Sequence, residues 1–213
     1  MKEALFQPGE LLPAAELFSA FGTSETYEML REYAVAVAPH WRNRYELQKG
    51  YEAALARWLT HFALTPLVPK GTQLLDSTAT AIYYKNILGD SVKLVQNPQD
   101  PFRYCLVEKT RRKEIIYRPP SGILVDEQTT QVKAIIYDSL AAKVSKVGDF
   151  TFMRDTFPAA FSEASIVFAI PTHPNQHVVN SINGEAGIQV LQLPFDKDLR
   201  SGFVDSLVQA TEF

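Results

Sequence analysis

The sequence predicts an α/β domain built on a mixed sheet flanked by helices, with a helical N-terminal extension over residues 1–44 and the α/β unit over residues 45–213. Three observations carry this. Helical periodicity fills the first third of the chain. Four stretches rich in Val, Ile and Tyr then follow, joined by short polar turns. Beyond residue 149 helix and strand patterns alternate, the order of an α/β sheet. No Gly/Ser or Pro-rich linker separates the two regions, so one compact unit is expected. With 213 residues, 46% hydrophobic and 21% charged, the composition is that of a globular protein and excludes a disordered or fibrous one.

The elements follow in order. Ala14–Phe21 reads as a short helix closed by Gly22. A second helix starts near Ser24 as N-cap, with Glu25 in its first turn; it carries Tyr27, Leu30, Tyr33, Ala34 and Val37 inward and ends at Pro39. In Tyr45–Phe62, Leu47, Tyr51, Ala54, Leu55, Trp58, Leu59 and Phe62 recur at the spacing of one helix face. Arg103–Lys109, Lys113–Arg118, Gly122–Glu127 and Gln131–Asp138 read as strands whose neighbours are antiparallel. The run Val132, Ala134, Ile135 and Ile136 marks a central strand covered on both faces. Phe150–Phe161 reads as a helix weakened by Pro158, Ser165–Ile170 as a buried strand and Pro174–Asn183 as a helix entered through its proline. Ile188–Leu193 is a further strand, and Leu199–Val208 a closing amphipathic helix.

The single cysteine, Cys105, excludes a disulfide framework and a CxxC zinc site. It lies mid-strand, where a buried, inert thiol is expected. Nowhere do 18 apolar residues run together, and the N-terminus has no apolar stretch of signal-peptide length, so a cytoplasmic protein with no membrane role is expected. GxxxxGK[ST], GxGxxG and GxSxG are all absent, which removes the usual phosphate cradles and the acyl-hydrolase elbow. His173 and His177 are four apart, but Pro174 biases the first out of helical geometry and no glutamate stands between them, so a polar loop is the reading. His40 and His61 lie in or beside helices and read as capping or core residues.

The segment RPPSGILVDEQTTQVKAIIYDSLAAK, Arg118 to Lys143, resembles the core hairpin of the PD-(D/E)XK nuclease superfamily. Pro120-Ser121-Gly122 occupies the place of that family's Pro-Asp, Tyr137-Asp138-Ser139 the place of its acidic-x-Lys triplet, and the helix Lys49–Phe62 the place of its first helix, which often carries a Glu. The order of elements agrees over roughly Lys49 to Leu193. The resemblance implies a restriction-endonuclease-like fold, DNA as partner, and a metal-dependent phosphodiesterase in which Glu52 and Asp138 hold Mg²⁺ or Mn²⁺ while Lys143 acts on the phosphate or the water. The chain departs from the pattern in three ways, the first being that Asp138 sits one position off the usual triplet, on the opposite strand face from Tyr137. Ser121 offers a neutral hydroxyl, a poor Mg²⁺ ligand, and residue 139 is not a lysine.

A second register, Asp126 with Gln131-Val132-Lys133, falls at the hairpin turn itself, far from the expected site, and reads as a solvated tip. The run Lys109–Arg118 holds Lys109, Arg111, Arg112, Lys113 and Arg118 in an otherwise acidic chain of net charge −3. Such a cluster can neutralise phosphates, with Tyr104 and Tyr117 beside it to stack on bases. A turn at a sheet edge, where Lys and Arg discourage edge-to-edge pairing, is the plainer reading of the same run.

Three functions remain open from sequence. One is a nucleic-acid-binding protein that keeps the fold with an eroded catalytic site. Another is an active endonuclease using Glu52, Asp138 and Lys143. The third is a non-enzymatic assembly factor or homodimer that meets a protein partner through aromatics that look exposed, Phe6, Phe18, Phe21 and Trp41.

Overall fold

A computed structural model describes residues 5–6, 25–141, 143–170, 175–182, 185–193, 204–205, 207–209 and 211. Helix α1 (Glu25–Val37) leads through a 3-10 turn at Ala38–His40 into the long helix α2 (Arg44–Leu64). The Asn43 side chain starts α2 by accepting the Glu46 N–H at 2.9 Å. After strand β1 (Thr72–Leu75), helix α3 (Ser77–Leu88) is capped by Asp76, which accepts the Ala79 N–H at 2.8 Å, and it stops at Gly89 with φ 94°. Strands β2 (Val92–Asn97), β3 (Asp100–Lys109), β4 (Glu114–Tyr117), β5 (Gly122–Asp126) and β6 (Val132–Tyr137) follow. The chain continues through α4 (Lys143–Thr156), α5 (Pro158–Phe161), β7 (Ser165–Ile170), α6 (Gln176–Ile182) and β8 (Ile188–Gln192).

Two sheets result. The larger has the order β1-β5-β6-β7-β8; β1, β5 and β6 are antiparallel, while β6, β7 and β8 are parallel and joined through α4 and α6. The smaller is the antiparallel β2-β3-β4. The α/β class with a mixed, helix-flanked sheet therefore stands. β4 and β5, expected as paired neighbours, lie in different sheets. Both flanks of β5 are occupied, by β1 and β6, so no ladder is left for β4.

The strand β6 is central, and its side chains alternate between two cores. Ala134 and Ile136 join Leu124, Val167 and Ala169 on the face covered by α2 and by Ala34 and Val37 of α1. Val132, Ile135 and Tyr137 join Ile123, Val125 and Phe168 on the other face, beneath Tyr84 of α3, Phe150 and Met153 of α4, and Phe161. The inner side of the smaller sheet, through Val92 and Leu106, closes this second core. Ala34 and Val37 thus share a core with α2 and the larger sheet.

Other boundaries move for local reasons. The helix expected over Phe150–Phe161 begins at Lys143 and breaks after Thr156, because Pro158 has no N–H and holds Phe157 at φ −126°, ψ 59° before opening α5. Phe6 is fully buried and pairs with Gln189 through both its N–H and its carbonyl. Trp41 packs over Gly50 against the first core. Neither is the exposed aromatic expected, since each fills space beside α2 or β8. Phe18, Phe21, the helix Ala14–Phe21, Ser24, His173, Pro174 and Asn183 lie outside the described residues. So does the first part of the closing helix, of which Val204, Leu207 and Val208 are helical and buried. Among the described residues no helix is long and apolar enough to cross a membrane.

Candidate functional site

A cavity of about 820 Å³ opens where α2, β3, the end of β6 and α4 meet. Among the described residues its charged lining is Lys49, Glu52 and Arg57 from α2, Arg103 from β3, Asp138 just beyond β6, and Lys146 from α4, with Ser139 and Asn175 as further polar groups. Four cations therefore face two carboxylates.

Arg57 stands at the cavity's floor, 8% exposed, and donates from Nη1 to the carboxylate of Asp100, itself 5% exposed at the start of β3. Its Nε lies 3.6 Å from Asp138 Oδ2. Burial opposes the guanidinium charge, but Asp100 and Asp138 outweigh it and hold the Arg57 pKa above its ordinary value. The Asp138 N–H donates to Ser121 Oγ at 3.2 Å, so the starts and ends of the β5–β6 hairpin meet beside the cavity. Lys146 Nζ donates to the Ser139 carbonyl at 2.8 Å and sits 5.1 Å from the Tyr137 ring centroid. Burial lowers its pKa; Asp138 pulls it up, while Arg103 and Arg57 push it down again. Arg103 is exposed at the cavity mouth, close enough for its charge to be felt by Lys146.

The residues expected from sequence distribute unevenly. Glu52 and Asp138 line this cavity together. Glu52 is paired with Lys49 at 2.7 Å. Lys143, at the start of α4, pairs instead with Glu185, and Lys146, one turn later, reaches the cavity. Lys109, Arg111, Arg112 and Lys113 cluster at the β3–β4 turn, where Thr110 Oγ1 accepts the N–H groups of Arg112 and Lys113. Arg118 lies beyond the other end of β4, near enough to Asp149 of α4 to pull its pKa down against the upward push of burial.

Tyr104 and Tyr117 project to the inner side of the smaller sheet. Tyr117 donates to Glu108 at 3.1 Å and stacks on Phe152 with centroids 6.2 Å apart, so it is not presented to a nucleic-acid base. The Asp126 carboxylate accepts the Gln128 and Thr129 N–H groups, each at 2.9 Å, and shapes the β5–β6 turn. His61, near the end of α2, has its pKa lowered by burial, with Asp76 opposing. His177 is exposed in α6.

A divalent cation fits this donor set poorly. Mg²⁺ and Mn²⁺ require several oxygen donors free to coordinate. Here Asp138 is engaged by Arg57, Glu52 is paired with Lys49, and four cations line the same space. Among the described residues no three His, Cys, Asp or Glu side chains come together as a metal set. The arrangement suits an anion. Arg57, Asp100, Arg103 and Lys146 are the site residues that sequence reasoning did not single out. Arg57 falls on the polar side of an amphipathic helix, with Lys49 and Glu52, where a solvated arginine is the plain reading, and its partner Asp100 is distant in sequence. Comparison with known proteins finds no family model, curated protein or solved structure that matches the chain.

Proposed function

We propose that this protein has restriction-endonuclease-like architecture, binds nucleic acid, and has lost hydrolysis, its cavity receiving a backbone phosphate. The carrying observation is the pair Arg103 and Lys146. Both cations line one cavity, close enough for Arg103 to repel the Lys146 charge, while the Asp138 carboxylate that attracts Lys146 is shared with Arg57 at 3.6 Å. An anion placed between them relieves that repulsion and gains charge-assisted hydrogen bonds in a partly desolvated space. The order of elements supports the architecture: a long helix, the antiparallel β1, β5 and β6, then α4 and the parallel β7. The exposed cations at the β3–β4 turn supply further phosphate contacts.

The test is a gel titration against labelled duplex and single-stranded DNA, with Mn²⁺ present, at two salt concentrations. Salt-sensitive shifted bands without cut product are expected, and Arg103→Ala with Lys146→Ala should flatten the salt slope by about two units. Cut product would instead make Glu52 and Asp138, which share the cavity, the carboxylates of an active endonuclease. Absence of any shift at low salt would overturn nucleic-acid binding and direct the function to a protein partner.

A further inference from the structure

The smaller sheet has two unlike faces, and its strand register says which residues lie on each. Val92, Leu94, Leu106 and Tyr117 face the second core. The alternate positions face away from it. Lys93 is paired across β3 with Val107, which is paired in turn with Ile116; Val95 is paired with Cys105, and Lys109 with Glu114. Val95 and Ile116 are 47% and 46% exposed, and Lys93, Arg103 and Lys109 are exposed on the same side. Arg103 belongs both to this face and to the cavity mouth. The outer face is therefore a short aliphatic floor bordered by cations, starting at the cavity and ending at Arg111, Arg112 and Lys113. Its one carboxylate among these positions, Glu114, lies 3.7 Å from Lys109.

We propose that this outer face is a track for the sugar–phosphate backbone of double-stranded nucleic acid, running from Arg103 past Lys93 and Lys109 to the β3–β4 turn. The inference rests on the cavity's reading as a phosphate site and extends it to the class of substrate. From Arg103 to Lys109 the strand covers about 20 Å, at about 3.3 Å per residue. That follows roughly half a turn of duplex, whose repeat is about 34 Å. Single-strand binders hold bases on exposed aromatic rings. Among its described residues this face has none, because the alternation of β3 and β4 turns Tyr104 and Tyr117 to the inner side with Leu106. What remains is charge at intervals over aliphatic side chains, which reads a backbone and not base identity.

Fluorescence anisotropy with a labelled duplex of two helical turns, and with oligo(dT) of equal length, tests this over a salt series. Wild-type protein should prefer the duplex, with little dependence on its sequence. Lys93→Ala with Lys109→Ala should lower the salt slope by roughly two units while leaving the melting temperature unchanged. An unchanged slope in that variant would overturn the track, and tighter binding of oligo(dT) would overturn the duplex assignment. Inorganic pyrophosphate separates the two readings. If it raises the melting temperature of wild type but not of Lys146→Ala, whose side chain belongs to the cavity and not to the track, the cavity takes phosphate whatever the track does. If it raises neither while the duplex slope still falls in the Lys93 and Lys109 variant, the track stands and the cavity reading fails. Failure of both probes with wild-type protein would overturn both.

Discussion

Arg57 Nε stands 3.6 Å from Asp138 Oδ2 while the same guanidinium donates to Asp100, so one side chain of α2 joins the end of β6 to the start of β3. It couples the two sheets at the point where the cavity opens. Removing one member of a buried ion pair leaves its partners charged and desolvated, at a cost of about 3–5 kcal/mol. Arg57→Met should therefore lower stability by that amount, and the melting temperature by roughly 10 °C at 2–4 °C per kcal/mol. Urea titration checks it; a loss below about 1 kcal/mol would mean that the cluster does not hold the sheets together.

Asp138 separates an anion site from a metal site. If the cavity receives phosphate, Asp138→Asn removes a like charge and leaves Arg57 paired with Asp100 alone, so duplex affinity should rise several-fold, on the order of 1 kcal/mol at a partly exposed position. At a metal site the same change would instead weaken binding in Mn²⁺. Parallel titrations in Mn²⁺ and in EDTA read the sign directly.

The lowered Lys146 pKa sets a pH dependence with opposite signs for stability and for binding. Burial, Arg103 and Arg57 make the folded protein hold this proton less tightly than the unfolded chain, so between the lowered value and 10.5 stability rises with pH. A bound phosphate reverses the bias by favouring the charged amine. Affinity should then fall with rising pH, beginning below the ordinary lysine range. Lys146→Arg, whose guanidinium stays charged, should remove that decline; a decline that persists in the variant would place the titrating group elsewhere.

Gly50 sits within α2, where Ala ordinarily gains about 1 kcal/mol over Gly. Here a Cβ would lie 2.6 Å from Trp41 Cη2, inside the space the indole occupies. Gly50→Ala should thus destabilise by about 1–2 kcal/mol through overpacking. In a Trp41→Ala background the same substitution should become stabilising, and a double-mutant cycle measures the change of sign.

Much of the larger sheet was legible in the sequence. The apolar run of β6 reflects burial on both faces, and the Asp126–Gln131 turn fixed the hairpin beside it. Helix α2 was equally plain in its periodicity. β1 was not, being four residues at a sheet edge with only partial burial. Helix α3 was hidden because STATAIYYKNIL is rich in β-branched and aromatic residues, although Asp76 and Gly89 mark both its ends. For the candidate site, the resemblance points to Glu52 and Asp138, which both line the cavity, and to Lys143, whereas the lysine of α4 that lines the cavity is Lys146. Residues three apart are neighbours on one helix face, so the sequence does not choose between them, and only the packed structure shows that one meets Glu185 and the other the cavity. Arg57 and Asp100 belong to different elements, so no local pattern could join them.

β1 and β5 are adjacent, with Leu75 opposite Ile123, yet residues 76–121 run between them. That whole stretch leaves and rejoins the larger sheet across one strand spacing, about 4.8 Å. In topological terms α3 and the smaller sheet are an elaborated hairpin turn. The surface they carry can be exchanged by insertion or deletion at that turn, with no strand of the larger sheet changing neighbour. Such an exchange meets two conditions: apolar cover for Ile123 and Val125, and a carboxylate offered to Arg57.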